Sequence, residues 1–474
     1  MMRKRLLFLM LSAIALASVA QQPPISHLEI NNVRPTILGD GSCFLPGWDG
    51  SPSDDQANPC PTWEVPVGSG IGTIFQHALW FGGLDSDDVL HFAGKRYNLE
   101  GQDYAMGPLK TSDASTDFMT SVKYHHIWNL TRAEIDQFIA NHANAGYQIP
   151  EDILTWPAHG EEGYAANLAP FVDVNGDGRY NPADGDYPDI KGDQCLYFIF
   201  NDSRIHLETY GASVGLEVHA MVYAFDAPND EPLKNSVFIN YKLFNRSAYD
   251  YHNTYLGLFT DWDLGYSYDD YVGCDVRRNS CYVYNGLDSD GNGEPGTYGN
   301  IVPSQVLTVL QGPDNLGMTG FMYFDNTSSA IGDPAFAQEY YQYMQSCWRD
   351  GAHLQYGGSG FPGFGDVVGP ECNYMFPGDS DPDNIGTGGV APNDGYNTNG
   401  KYWTEVESDF SPGDRRGLAS VGPFEFPAGS VKELDYAMIT VWGRENESGP
   451  SASVSRIGEY VDRVRELFNN GFAK

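Results

Sequence analysis

The run Asp173-Val174-Asn175-Gly176-Asp177-Gly178-Arg179, closed by Asp184, sets side-chain oxygens at the first, third, fifth and twelfth places of one loop. A calcium ion takes six to eight hard oxygens at about 2.3–2.6 Å, and this winding supplies them from one turn of chain, with the Arg179 carbonyl at the seventh place. Gly178, at the sixth, permits the backbone reversal that a side chain would obstruct. The competing reading is a solvated acidic loop of Asx turns; agreement at all of these places favours the metal. Asp186 and Asp189 extend the run, and with Asp184 they offer oxygens to a second ion. The flanks read as strand or irregular chain, not as paired amphipathic helices. That points to structural calcium rather than a conformational sensor.

A second cluster, Asp261-Trp262-Asp263 followed by Asp269, Asp270 and Asp275, admits two chemistries. Two carboxylates roughly 5–9.5 Å apart are the working pair of glycoside hydrolysis. Carboxylates that converge on one point at a strand end hold a cation instead. An open groove with exposed aromatics would favour the first, convergence the second. Asp288-Ser289-Asp290-Gly291-Asn292-Gly293-Glu294 begins like a calcium loop but carries Gly299 at the twelfth place, so it reads as a turn. Asp379, Asp381 and Asp383 are a weaker echo. The chain has no HExxH, no GxSxG and no phosphate-binding lysine loop, and Gly68-Ser69-Gly70-Ile71-Gly72 lacks a helix context and reads as a turn. His125-His126 has no carboxylate at fixed spacing and reads as ordinary packing. The 9 Trp and 30 Tyr offer stacking platforms for glycans, although Trp80, Phe81 and Tyr223 fall in strand-like runs and read as core.

What surrounds these loops is strongly acidic. Against 63 Asp+Glu stand 27 Lys+Arg, a net charge of -36 over 474 residues. Such a surface repels nucleic-acid phosphates, which excludes nucleic acid as a partner and leaves divalent cations as natural ones. Basic Arg3-Lys4-Arg5, apolar Leu6 to Ala17 and small Ser18-Val19-Ala20 read as a secretory signal peptide, residues 1–20, cut after Ala20. The apolar run is short of the ~20 residues a spanning helix needs, and no other segment is apolar enough to be a transmembrane span. Secretion makes disulfides the expectation for the 7 cysteines. The simplest pairing joins sequence neighbours: Cys43 with Cys60, Cys274 with Cys281, and Cys347 with Cys372, each worth ~2–4 kcal/mol. Cys195, in the apolar run to Phe200, reads as a buried free thiol.

The elements that must position these groups are mostly strands. Short apolar bursts bounded by turn residues, 73–81 and 90–97, are strand and hairpin signals. In 215–226 and 235–247 apolar residues alternate on both faces, as in the middle of a sandwich. Thr131-Arg132-Ala133-Glu134 is a capping box that opens a helix bearing Ile135, Phe138 and Ile139 and ending near Gly146. Asp333-Pro334 offers an N-cap for a helix through Tyr340, Tyr341 and Met344. Val454, Ile457, Val461, Val464, Leu467 and Phe468 recur at helical spacing at the far end. Residues 349–400 read as long ordered loops, and Pro423 to Trp442 as a hairpin turning at Pro427-Ala428-Gly429. The expected fold is therefore mainly β: a β-sandwich core with a few helical insertions, long loops and a C-terminal helix. It divides into a β-rich region with helical insertion and calcium loop, 21–193, and a sandwich region, 194–474, which can share one composite domain.

The acidic loop resembles those of dockerins and thrombospondin type 3 repeats, which also end in Asp. The whole mature chain resembles an uncharacterised family of secreted proteins from Bacteroidota. The likeness rests on Asn31-Asn-Val-Arg34, Leu79-Trp-Phe-Gly-Gly-Leu-Asp85 and Asn167-Leu-Ala-Pro-Phe-Val-Asp-Val-Asn-Gly-Asp177, and continues through Asp269-Asp-Tyr-Val-Gly-Cys-Asp275, Met375-Phe-Pro-Gly-Asp379 and Pro412-Gly-Asp-Arg-Arg416. Members commonly continue past the last helix into a small β-domain for type IX secretion; this sequence ends at Lys474, without that sorting domain. The resemblance implies a β-rich extracellular or cell-surface protein and transfers no catalytic residue. The expected function is a secreted, calcium-stabilised, non-enzymatic protein, for adhesion or for a surface assembly with copies of itself or other surface proteins. The alternative is a secreted protein that binds or hydrolyses polysaccharide.

Overall fold

Alternation at 216–224 and 236–245 places successive side chains on opposite faces, and the two stretches pair as the antiparallel strands Leu216–Ala224 and Ser236–Asn245. A computed structural model describes residues 23–44, 62–97, 102–364, 369–392, 402–408 and 410–472. The signal-peptide reading of residues 1–20 and Cys60 lie outside the described residues. The two strands stand in a nine-stranded antiparallel sheet, ordered Asp270–Asp275, Ser280–Asn285, Ser304–Gln311, Val431–Val441, Ser236–Asn245, Leu216–Ala224 and Gln194–Asn201. Ala105–Met106 and Trp128–Thr131 both close on the last of these. A six-stranded sheet runs Gly320–Phe324, Arg415–Phe426, Tyr251–Trp262 and Gln76–Leu84, with Cys43–Phe44 and Leu90–Ala93 on the far edge. Both sheets draw strands from either side of residue 193.

The sheets share a main apolar core, and His77 of one reaches the Tyr436 hydroxyl of the other at 2.8 Å. Outward-facing residues are apolar too because each sheet is covered again. Beneath the Arg132–Asn141 and Ile457–Asn469 helices a second core gathers Phe138, Tyr197, Tyr223, Phe238, Ile439 and Val464. On the other sheet Trp80 stacks on Phe259 at 5.2 Å and meets Tyr340 of the Ala337–Met344 helix edge-on at 4.6 Å. Among the described residues no helix is long and apolar enough to cross a membrane.

The capping box forms as expected, with Thr131 and Glu134 satisfying each other's backbone N–H. Three readings are corrected. The Pro427–Gly429 turn does not close a hairpin: Arg415–Phe426 pairs within the six-stranded sheet and Val431–Val441 within the nine-stranded one, so the turn is a corner between layers. The 337–344 helix is capped at Phe336 rather than Asp333, whose carboxylate is drawn 3.0 Å from Arg96. Cys274, Cys281, Cys347 and Cys372 carry free thiols rather than disulfides, as do Cys43 and Cys195. Cys274 and Cys281 do face each other across a hairpin. The Cys274 thiol, however, donates to the Met375 carbonyl at 3.2 Å, and Cys347 and Cys372 turn to the carbonyls of Gln345 and Tyr374.

The helix face predicts a contrast. Phe138 is fully buried, whereas Ile139 is 43% exposed although both were placed on one apolar face. Phe138→Ala should cost about 3–5 kcal/mol in urea unfolding, and Ile139→Ala should stay within about 0.5 kcal/mol.

Candidate metal centre

Strand pairing assembles a cluster that no local motif contains. Asp261 lies opposite Arg416 on one side and Gln76 on the other, so the three side chains share a face. Asp263 and Asp414 each lie two residues from that row, and a period of two returns them to the same face. Among the described residues, Asp261, Asp263 and Asp414 are the one group of three acidic or metal-ligating side chains whose oxygens all lie within 4.8 Å of one another. Arg416 stands 3.5 Å from Asp261 and 3.2 Å from Asp414, and donates to the Tyr97 hydroxyl at 2.6 Å. That hydroxyl in turn donates to Asp261 Oδ2 at 2.6 Å.

The cluster is electrically unbalanced. Three carboxylates and one guanidinium leave two negative charges, the complement of one divalent cation. Burial, against the pull of Arg416 and with Asp263 and Asp414 adding to it, lifts the Asp261 carboxyl well above its ordinary range. Burial and Asp414 push Asp263 up to about 7. Asp261 is 2% exposed, and its Oδ1 has no hydrogen-bond partner. Across the strand the Gln76 amide is fully buried with neither its oxygen nor its nitrogen paired. Such orphaned oxygens are costly unless something binds them. Hard oxygens from three carboxylates and one amide suit Ca²⁺.

Asp269 and Asp270, which the sequence groups with Asp261 and Asp263, serve a neighbouring loop instead. Asp270 Oδ2 accepts from Leu264 N–H, and Asp269 Oδ2 from Gly291 N–H at 2.9 Å. Asp290 takes the N–H groups of Tyr266 and Tyr298, so the Asp288–Gly299 segment is a turn held by carboxylates. Asp275 caps the next turn and pairs with Arg278 at 2.8 Å. Asp381 likewise accepts from Ile385 and Gly386 N–H.

The Asp173–Asp184 loop winds as its glycines require, with Gly176 and Gly178 at φ of 75° and 77°. Asp173 accepts from the N–H groups of Gly176 and Gly178 at 2.7 Å each, Asn175 from Asp177 N–H and Asp177 from Arg179 N–H. Asp184 turns to the Asn181 side chain at 2.6 Å. Asp186, fully buried, clamps the loop by accepting from Val174 and Asn181 N–H. His126, with no carboxylate at fixed spacing in the sequence, meets Asp152 at 2.7 Å. Asp414, Gln76, Tyr97 and Arg416 escaped the sequence reading because only the register brings them to Asp261.

The chain matches no known family model and no curated protein sequence.

A carboxyl raised to about 7 from an ordinary 3.8 holds a proton in the fold that the unfolded chain releases. Its contribution to stability is therefore present at low pH and lost as pH rises between about 4 and about 7. In EDTA the melting temperature should fall across that range, and Asp414→Asn should flatten the fall by removing a neighbouring charge. Calcium should raise the melt more at about pH 8 than at about pH 5, where protons compete for the same oxygens. Differential scanning calorimetry at both pH values tests this; an equal calcium effect at the two would refute it.

Proposed function

We propose that this is a secreted, calcium-stabilised extracellular or cell-surface protein with no catalytic role, serving adhesion or forming a subunit of a surface assembly. The observation that carries the reading is convergence: half-buried Asp263 and Asp414 close with buried Asp261 on one point instead of standing apart across a groove. A hydrolytic pair must flank a sugar in an accessible cleft at roughly 5–9.5 Å. Asp261 is sealed beneath Tyr97 and Arg416, which supports a cation over that chemistry. The Asp173–Asp184 loop, wound on its own backbone N–H groups, supports a second calcium site at the surface. The basic, apolar and small residues at 3–20 support export, as does the resemblance to secreted proteins.

Two measurements test this. Calcium at a hundredfold its dissociation constant should stabilise the fold by about 2.7 kcal/mol per site over EDTA. Asp263→Asn should remove the share of the inner cluster and Asp177→Ala that of the loop, so the double variant should melt alike in both buffers. A wild-type melt unchanged by EDTA would sink the calcium reading. Light scattering and negative-stain imaging then address assembly: defined oligomers or polymers that depend on calcium support a surface subunit, and a monomer in both buffers counts against it.

A further inference from the structure

On the outer face of the nine-stranded sheet, far from the carboxylate cluster in the pairing order, lies a cavity of about 280 Å³. Its floor is built from cross-strand neighbours. Tyr197 pairs with Met221, Met221 with Asn240 and His219 with Lys242, so all of them stand on one face of three adjacent strands. The opposite wall carries Leu168, Pro170, Asp189 and Lys191. That wall stands on a two-stranded stem, Phe171–Val172 against Tyr187–Pro188, whose tip is the Asp173–Asp184 loop.

Two buried polar atoms at this floor have no partner, Tyr197 Oη and His219 Nδ1. Their residues are 1% and 3% exposed, and their rings lie 6.4 Å apart. The rest of the His219 ring is fixed. The Glu217 carboxylate, which also takes Arg246 at 2.7 Å and Leu109 N–H at 2.6 Å, receives His219 Nε2–H at 2.8 Å. A carboxylate only accepts, so Nε2 carries the ring proton, and in that tautomer Nδ1 is an acceptor. Burial holds the Tyr197 phenol protonated, a donor. The floor thus offers one donor and one acceptor side by side, each lacking a partner.

The rim carries both signs of charge. Lys191 and Lys242 are exposed and make no ion pair among the described residues, while Asp189 lines the same wall. Asp435, held by Asn240 at 2.9 Å, lies within electrostatic reach of both lysines. Asn240 also holds Glu433 at 2.7 Å, opposite Lys242 in register, so three carboxylates face the two cations and the wall has no net positive charge with which to attract an anion. Met221, Leu168 and Pro170 supply apolar surface between them. The volume matches that of about nine waters in the liquid and sits near the lower end of small-molecule pockets.

A neutral ring with hydroxyl groups, each both donor and acceptor, and with apolar C–H faces has the chemistry this wall lacks. We propose that the cavity binds one neutral monosaccharide unit, with a sugar hydroxyl bridging Tyr197 Oη and His219 Nδ1. The assignment goes beyond the calcium reading and does not depend on it, since neither floor residue belongs to a cation site.

Tyr197→Phe is the decisive variant. It removes only an unpartnered hydroxyl, so its melting temperature should equal or exceed that of the wild type. Saturation-transfer NMR on the full chain, with glucose, galactose, mannose and N-acetylglucosamine as neutral probes and glucuronate as an anionic one, reads binding directly. The expected result is transfer to at least one neutral sugar, weakened about tenfold in Tyr197→Phe and in His219→Phe. Three results would each overturn the assignment: no transfer to any neutral sugar, undiminished binding in Tyr197→Phe, or binding of glucuronate alone.

Discussion

Arg416 lies between Asp261 and Asp414 with its guanidinium largely withdrawn from water, and the end of the six-stranded sheet is organised around it. Charges taken from water are expensive, and their mutual attraction repays the cost only when geometry is good and the remaining polar atoms are satisfied. Here one guanidinium answers three carboxylates, and the Tyr97 hydroxyl bridges it to Asp261. What is left over is two negative charges, one Asp261 oxygen and one whole Gln76 amide. A proton or a cation must complete the set. The arrangement also depends on register, because a shift of one residue between Tyr251–Trp262 and Arg415–Phe426 would turn every member to the opposite face. The strands are long enough to resist that: Leu256, Leu258, Ala419 and Val421 lock the other face into the main core.

The same logic accounts for the unusual burial of this acidic chain. A two-layer sandwich leaves two outer faces for water, and alternation would then read apolar-in, polar-out. Neither sheet follows that pattern here. The Ile457–Asn469 helix and the 132–190 insertion cover much of one outer face, and the Ala337–Met344 helix with Tyr97 covers part of the other. Polar groups that remain on covered faces are consequently buried, and two of the places where this leaves atoms without partners are the carboxylate cluster and the Tyr197–His219 floor.

These origins explain what could be read from residue order. Elements with local causes were legible: the Thr131–Glu134 capping box, the period-two stretches at 216–224 and 236–245, the helical spacing of Ile457 to Leu467, and the buried Cys195. Asp261 and Asp263 were visible as a pair because they lie two residues apart, one at the end of a strand and one just past it. Asp414 and Gln76 were not, since they sit about 150 and 185 residues away and only hydrogen-bond register joins them. The Pro427–Gly429 turn misled for a related reason. Its residues dictate a tight reversal, but nothing local states whether the returning strand pairs beside its predecessor or crosses to the facing sheet. Asp269 and Asp270 were grouped with Asp261 by proximity, whereas backbone N–H groups nearby, Leu264 and Gly291, claimed their carboxylates first.

The acidic loop and the polar cavity, read separately, meet in one hairpin. Asp173 to Asp184 form its tip, Phe171–Val172 and Tyr187–Pro188 its stem, and Pro170 and Asp189, hydrogen-bonded at 3.1 Å, the point where stem becomes cavity wall. A two-stranded ribbon alone is marginally stable in water. Asp186 supplies one brace by clamping Val174 and Asn181, and His159 supplies another by accepting from Tyr180 N–H. A cation at the tip would add a third, taking up the charge of Asp173, Asp177 and Asp184 and lowering the entropy that the wall must lose when a ligand arrives. Calcium would then strengthen sugar binding without touching the sugar, through order imposed on the wall. The carboxylate cluster on the other sheet has no such path, because it stands behind the main core and shares no strand with the cavity.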